Sequence, residues 1–150
     1  MAYEEKFMKK ALSLAKKAFL LDEVPVGAVI VKDGKVIASA FNKREITNDA
    51  TAHAEILAIK KACKKLNDFR ILDADIYVSL EPCVMCMGAI LNSRISNLYF
   101  GAYISNGSIS SFEICEKSVL NHKTNIVGGF LEEDCSKLIS DYFKEKRKGK

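Results

Sequence analysis

Asp33-Gly34 lies between two short apolar runs, Val26 to Val31 and Val36 to Phe41. Asp-Gly accepts positive φ at little cost, so the stretch predicts a β-hairpin. What surrounds the hairpin sets the fold class. Before it, Phe7, Ala11, Leu14 and Ala18 form a helical stripe over residues 4–21. After it comes a polar loop, 42–50, and then a second helix from Ala52 to about Leu66, with Asp49 or Thr51 as N-cap candidates. A strand at 76–80, a helix from Pro82 to about Asn92, a strand at 97–102, a short strand at 125–127 and a final amphipathic helix follow. Residues 103–122 carry no clear period. Helices alternating with strands predict an α/β fold of three layers, α/β/α, around a five-stranded sheet covered on both faces. The hairpin makes that sheet mixed.

The chain has 150 residues, 49% hydrophobic and 28% charged, and reads as a single domain, 1–150. No apolar run approaches the ~20 residues that cross a bilayer. The first residues, Met1-Ala2-Tyr3-Glu4-Glu5-Lys6, do not read as a secretory signal. Five cysteines, an odd count, argue for a reducing compartment and against a disulfide framework, so a cytoplasmic location is expected. The net charge is +4, and residues 144–150, with five basic residues and one acid, account for all of the excess. A basic helix and tail over about 132–150 suits a polyanion, or is an ordinary solvated end.

The chemistry is carried by His53-Ala54-Glu55 and Pro82-Cys83-Val84-Met85-Cys86. Cys83 and Cys86, three apart at a helix start, place both sulfurs on one face, where the helix dipole favours thiolate. His53, at another helix start, supplies a third ligand. One His and two Cys make a catalytic zinc site with a fourth position left for water. Glu55 is placed to take a proton from that water and pass it to a ring nitrogen and then to departing ammonia. The competing reading is a structural four-ligand zinc, with His122, Cys63, Cys115 or Cys135 completing it. Those three cysteines otherwise read as packing residues.

These motifs resemble the cytidine and deoxycytidylate deaminase superfamily. Within it, the chain is similar to bacterial tRNA-specific adenosine deaminases. The likeness runs through Val24 to Val31, Phe41-Asn42, Thr51 to Ile56, Tyr77 to Cys86, Gly88 to Ile95, Phe100-Gly101-Ala102, Asn121-His122-Lys123 and Ser140 to Phe143. It departs at Tyr103 to Asn106, where relatives carry Asp and Lys, at Phe41 for a common Trp, and at Ala50 for a common Pro. The resemblance implies a cytidine deaminase-like fold, one Zn2+ per subunit on His53, Cys83 and Cys86, and proton transfer by Glu55. It also implies a purine contact from Asn42 and the Ala54 backbone, a homodimer with the helix after Cys86 near its interface, and no membrane.

Tyr142 and Phe143 directly precede Lys144, Lys146, Arg147 and Lys148. Rings beside cations suit unpaired bases and phosphates, so this end is expected to hold a tRNA anticodon stem-loop. Asn121 and His122 are candidates for a further substrate contact. The expected reaction is conversion of a wobble adenosine to inosine. The alternatives are a small-molecule deaminase acting on guanine, cytosine or a nucleoside, and a non-catalytic RNA-binding subunit, which the presence of Glu55 disfavours.

Overall fold

Successive side chains along β1 (Gly27–Lys32) point to opposite faces of the sheet, and the core divides accordingly. Ala28 and Ile30 join Ile76, Val78, Leu98 and Phe100 on one face, under the helix α3 (Ala54–Leu66) and its neighbour α4 (Val84–Asn92). Val29 and Val31 join Tyr77 and Tyr99 on the other, under Phe7, Met8 and Ala11 of α1 (Glu5–Leu20). Each large apolar side chain removed from water contributes about 1.5–3 kcal/mol. The computed structural model describes residues 2–104 and 109–148. Ser105 and Asn106 of the divergent 103–106 stretch, and the last two residues of the basic tail, lie outside them.

The sheet order is β2 (Lys35–Phe41), β1, β3 (Ala74–Leu80), β4 (Asn97–Ala102), β5 (Asn125–Val127). β1 is antiparallel to both β2 and β3, while β3, β4 and β5 run parallel. The expected α/β/α layering around a mixed five-stranded sheet is what the chain adopts. The hairpin turns at Asp33 (φ 52°) and Gly34 (φ 74°), the backbone its sequence predicts. Gly27 lets α1 settle onto β1: a Cβ there would stand 2.1 Å from the Ala11 carbonyl oxygen. α6 (Glu132–Lys148) covers β4 on the same face as α1, with Cys135 against Ala102 and Leu12.

β2, β3 and β4 all run the same way, so their C-terminal ends deliver Asn42, Glu81 to Cys83 and Tyr103 to one edge of the sheet. Ligand sites in α/β sheets form outside such strand ends. At the opposite edge, three register partners make a polar ladder. Asn97 Nδ2 donates to Asp75 Oδ1 at 2.7 Å, and Asn125 Nδ2 donates to Asn97 Oδ1 at 3.2 Å. The ladder holds the three-residue β5 in register.

Two helices differ from the expectation. The loop at 42–50 contains one helical turn, α2 (Arg44–Thr47), whose N-terminal amides are capped from outside it. Glu23, buried after α1, accepts from the N–H groups of Glu45 at 3.1 Å and Ile46 at 2.7 Å. Within 103–122 lies α5 (Ser111–Lys117), capped by Ser110 Oγ accepting from Glu113 N–H at 3.2 Å. Pro82 stands one residue before the α4 cap, Cys83, rather than inside the helix.

Candidate active site

His53 is the N-cap residue of α3 and Cys83 the N-cap residue of α4, with Cys86 in the first turn of α4. Neither His53 nor Cys83 spends its side chain on capping. At α3 the missing acceptor comes from Asn42, whose Oδ1 takes the Ala54 N–H at 2.7 Å. The cap expected from Asp49 or Thr51 is absent, because these two residues bond each other: Asp49 Oδ1 accepts from Thr51 N–H at 2.8 Å and from its hydroxyl at 2.7 Å. This Asx-turn ends the loop two residues short of the helix, and His53 is left free.

His53 Nδ1 lies 3.7 Å from Cys83 Sγ and 3.5 Å from Cys86 Sγ, and the three ligand atoms fall within 4.8 Å of one another. Tetrahedral zinc holds an imidazole nitrogen and a thiolate ~3.6 Å apart, from bonds of about 2.0 and 2.3 Å. The spacing therefore fits a metal with these three residues as ligands. The local electrostatics agree. Hydrogen bonds from Cys86 and His53 hold Cys83 down to about 3. Its bond to Cys83 pushes Cys86 up, and the same neighbour raises His53.

Glu55, in the first turn of α3, is buried, and its Oε1 has no hydrogen-bond partner. Burial pushes its carboxyl up to about 7, against the pull of His53. A carboxyl near neutrality beside a candidate metal group is suited to taking and returning a proton.

The other expected residues separate. Asn42 is buried beside α3. The Ala54 N–H is already engaged by Asn42. Phe41 and Lys43 flank Asn42, with Lys43 Nζ 5.1 Å from the Phe41 ring centre. Tyr142, 7% exposed, packs edge-on against Phe19, and its hydroxyl donates to the Asp22 carbonyl at 3.5 Å. Phe143 is 47% exposed, and Lys144 is exposed beside it. His122 Nε2 lies 2.9 Å from the Ile95 carbonyl oxygen, at the end of β4 away from the cysteines. No described contact joins Asn121 or His122 to the metal group. Cys115 and Cys135 are buried and free, and Cys63 is half-buried and free; none belongs to the three-ligand group. Sequence reasoning missed two buried carboxylates at this edge, Glu23 and Glu81.

A zinc-type His/Cys/Cys group and a buried glutamate at the strand ends of such a sheet define a deaminase site. The model of the MafB19-like deaminases matches residues 3–134, and the chain belongs to that family. The tRNA-specific adenosine deaminase of Bacillus subtilis (strain 168) is 43% identical over 152 residues, covering 100% of this chain and 94% of its own. A solved structure from a study of A-to-I editing by tRNA:A34 deaminases at the wobble position of transfer RNA superposes with a TM-score of 0.85. It is 41% identical and covers 90% of this chain and 99% of that one. The guanine deaminase of Bacillus subtilis superposes with a TM-score of 0.67 at 35% identity, over 98% of this chain and 95% of that one.

Proposed function

We propose that this chain is a tRNA adenosine deaminase that converts the wobble adenosine of an anticodon stem-loop to inosine, with release of ammonia. The observation that carries the reading is full-length likeness to a tRNA-specific adenosine deaminase in a chain whose His53, Glu55, Cys83 and Cys86 converge. His53 Nδ1, Cys83 Sγ and Cys86 Sγ would hold one Zn2+ per subunit, which when bound supplies an electrophilic centre that makes water acidic near neutral pH. Glu55 takes one proton from the attacking water and gives it to the ring nitrogen next to C6; it then takes the second proton, from the hydroxyl now on C6, and gives it to the amine, which leaves as ammonia. Water and adenosine become inosine and ammonia, with Glu55 restored.

Asn42, fixed by its bond to Ala54, orients the purine beside the α3 N-terminus. Phe143 is the ring offered to an unpaired base, with Lys144 at the phosphates; Tyr142 secures the helix instead. The second subunit of a homodimer covers a groove of about 460 Å³ lined by exposed Val84, Ile109 and Val119 and by buried Leu91. Asn121 and His122 follow Leu120 of this groove in the chain and are proposed as a further substrate contact. All 150 residues form one deaminase domain with a basic end over about 132–150. No described helix is long and apolar enough to cross a membrane, and the proposed location is the cytoplasm.

A second reading, a deaminase of free guanine, draws on the 35% identity to the guanine deaminase of Bacillus subtilis. One assay separates the two. Purified protein is given an anticodon stem-loop with adenosine at the wobble position, guanine and cytidine, with Glu55→Ala as control. Inosine from the stem-loop alone is expected. Ammonia from guanine alone overturns the RNA reading and keeps the chemistry.

A further inference from the structure

Glu81 stands between the end of β3 and the Pro82-Cys83 turn, and is 4% exposed. A carboxylate so placed is costly unless donors surround it. Here three do, all from the segment after β4. Glu81 Oε1 accepts from Ile104 N–H at 3.1 Å, and Oε2 accepts from Ser111 N–H at 2.8 Å and from the Ser111 hydroxyl at 2.7 Å. The Glu81 N–H donates to the Ala102 carbonyl at 2.8 Å. Ile104 and Ile109, next to these anchor points, enclose with Cys83 and Val84 a cavity of about 210 Å³ beside the candidate metal group.

We propose that Glu81 is a positioning residue for substrate binding: its carboxylate fixes how far the wall formed by Ile104 and Ile109 stands from the Cys83–Val84 turn. Charge-assisted bonds to two backbone amides hold that wall more firmly than apolar contact alone. Among the described residues, the hydrogen bonds of Glu81 go to Ile104, Ser111 and Ala102 and none goes to His53, Glu55, Cys83 or Cys86. Its contribution therefore falls on the fit of the substrate rather than on the proton transfers of Glu55. This rests on the deaminase reading given above.

Glu81→Gln keeps the shape but replaces one accepting oxygen by an amide NH2, a donor, so one set of donors loses its acceptor. The expected result is a KM for the stem-loop raised about tenfold, with kcat within about twofold. Bound zinc, measured by mass spectrometry of the native protein, stays at the wild-type ratio. Ser111→Ala removes only the hydroxyl bond and is expected to raise KM about twofold to threefold. Wild-type KM in both variants overturns the proposal. Lost zinc, or a fall in kcat at unchanged KM, also overturns it, by placing the effect on the metal turn. If Glu81→Gln does not fold, Ser111→Ala decides on the same readouts. A wild-type chain that acts on guanine and not on the stem-loop overturns the RNA reading instead, and the KM shift is then expected on guanine.

Discussion

The metal group and the C-terminal helix solve opposite problems. Four side chains of the first, His53, Glu55, Cys83 and Cys86, sit at two helix starts, half to fully buried, each held by backbone it cannot leave. The second has its proposed role spread along α6, where Tyr142 faces the core and Phe143, one residue on, faces solvent. Chemistry here needs a few groups placed to within a fraction of an ångström. Holding a polyanion needs many weak contacts on a frame that is merely secured. Loss of one residue should therefore be all-or-none in the first region and graded in the second.

The sharpest way to break that contrast is to strip the metal. Removing zinc with a chelator is expected to abolish deamination and lower Tm while leaving the helical circular dichroism in place. Small metal domains owe roughly 10 kcal/mol to zinc, but here both faces of the core are built from residues other than the three ligands and are expected to hold without it. A random-coil spectrum would refute the independence of the core. Glu55→Ala comes next, with deamination down about 10²–10⁴-fold and zinc content unchanged, read by inosine formation and metal analysis. Tm should not fall, since the substitution removes a buried carboxyl whose Oε1 has no hydrogen-bond partner among the described residues.

Neighbouring substitutions on α6 sharpen the other half. Tyr142→Ala should cost about 2–4 kcal/mol in chemical denaturation, because its ring is buried against Phe19. Phe143→Ala should leave stability unchanged and raise the stem-loop KM about tenfold, one lost base stack. Equal effects on stability would mean that both rings serve packing. The smallest effect is expected at Asn42. Asn42→Asp keeps the acceptor for the Ala54 N–H and should preserve Tm, whereas Asn42→Ala should lose about 1 kcal/mol of α3 stability. Both should weaken catalysis if the Asn42 amide also holds the purine.

What the sequence showed and what it hid follow from the range of the interactions. The Asp33-Gly34 turn, the amphipathic α1 and α6, and the strands either side of the hairpin are written in adjacent residues, and the metal ligands in two short motifs. α2 was hidden because its cap, Glu23, lies more than twenty residues upstream. The α3 cap was misplaced for the same reason: Asn42 supplies it across a loop, while the local candidates Asp49 and Thr51 satisfy each other. α5 was legible and overlooked, since Ser110 and Glu113 have the spacing of a capping box. The two aromatic residues of α6 could not be told apart without the position of α1. Nothing local distinguishes Glu81 from a surface glutamate; only the return of the chain at Ile104 and Ser111 gives it a purpose.

The ligand atoms come from chain segments thirty residues apart, and β1 and β3 lie beyond β2 in the sheet that brings them together. In the newly made chain only Cys83 and Cys86 are within local reach of an ion. The imidazole of His53 meets them across a long-range arrangement, with β1 between β2 and β3, of the kind whose pairing is slow. A metal held by all three ligand atoms would therefore report that β2, β1 and β3 have come together.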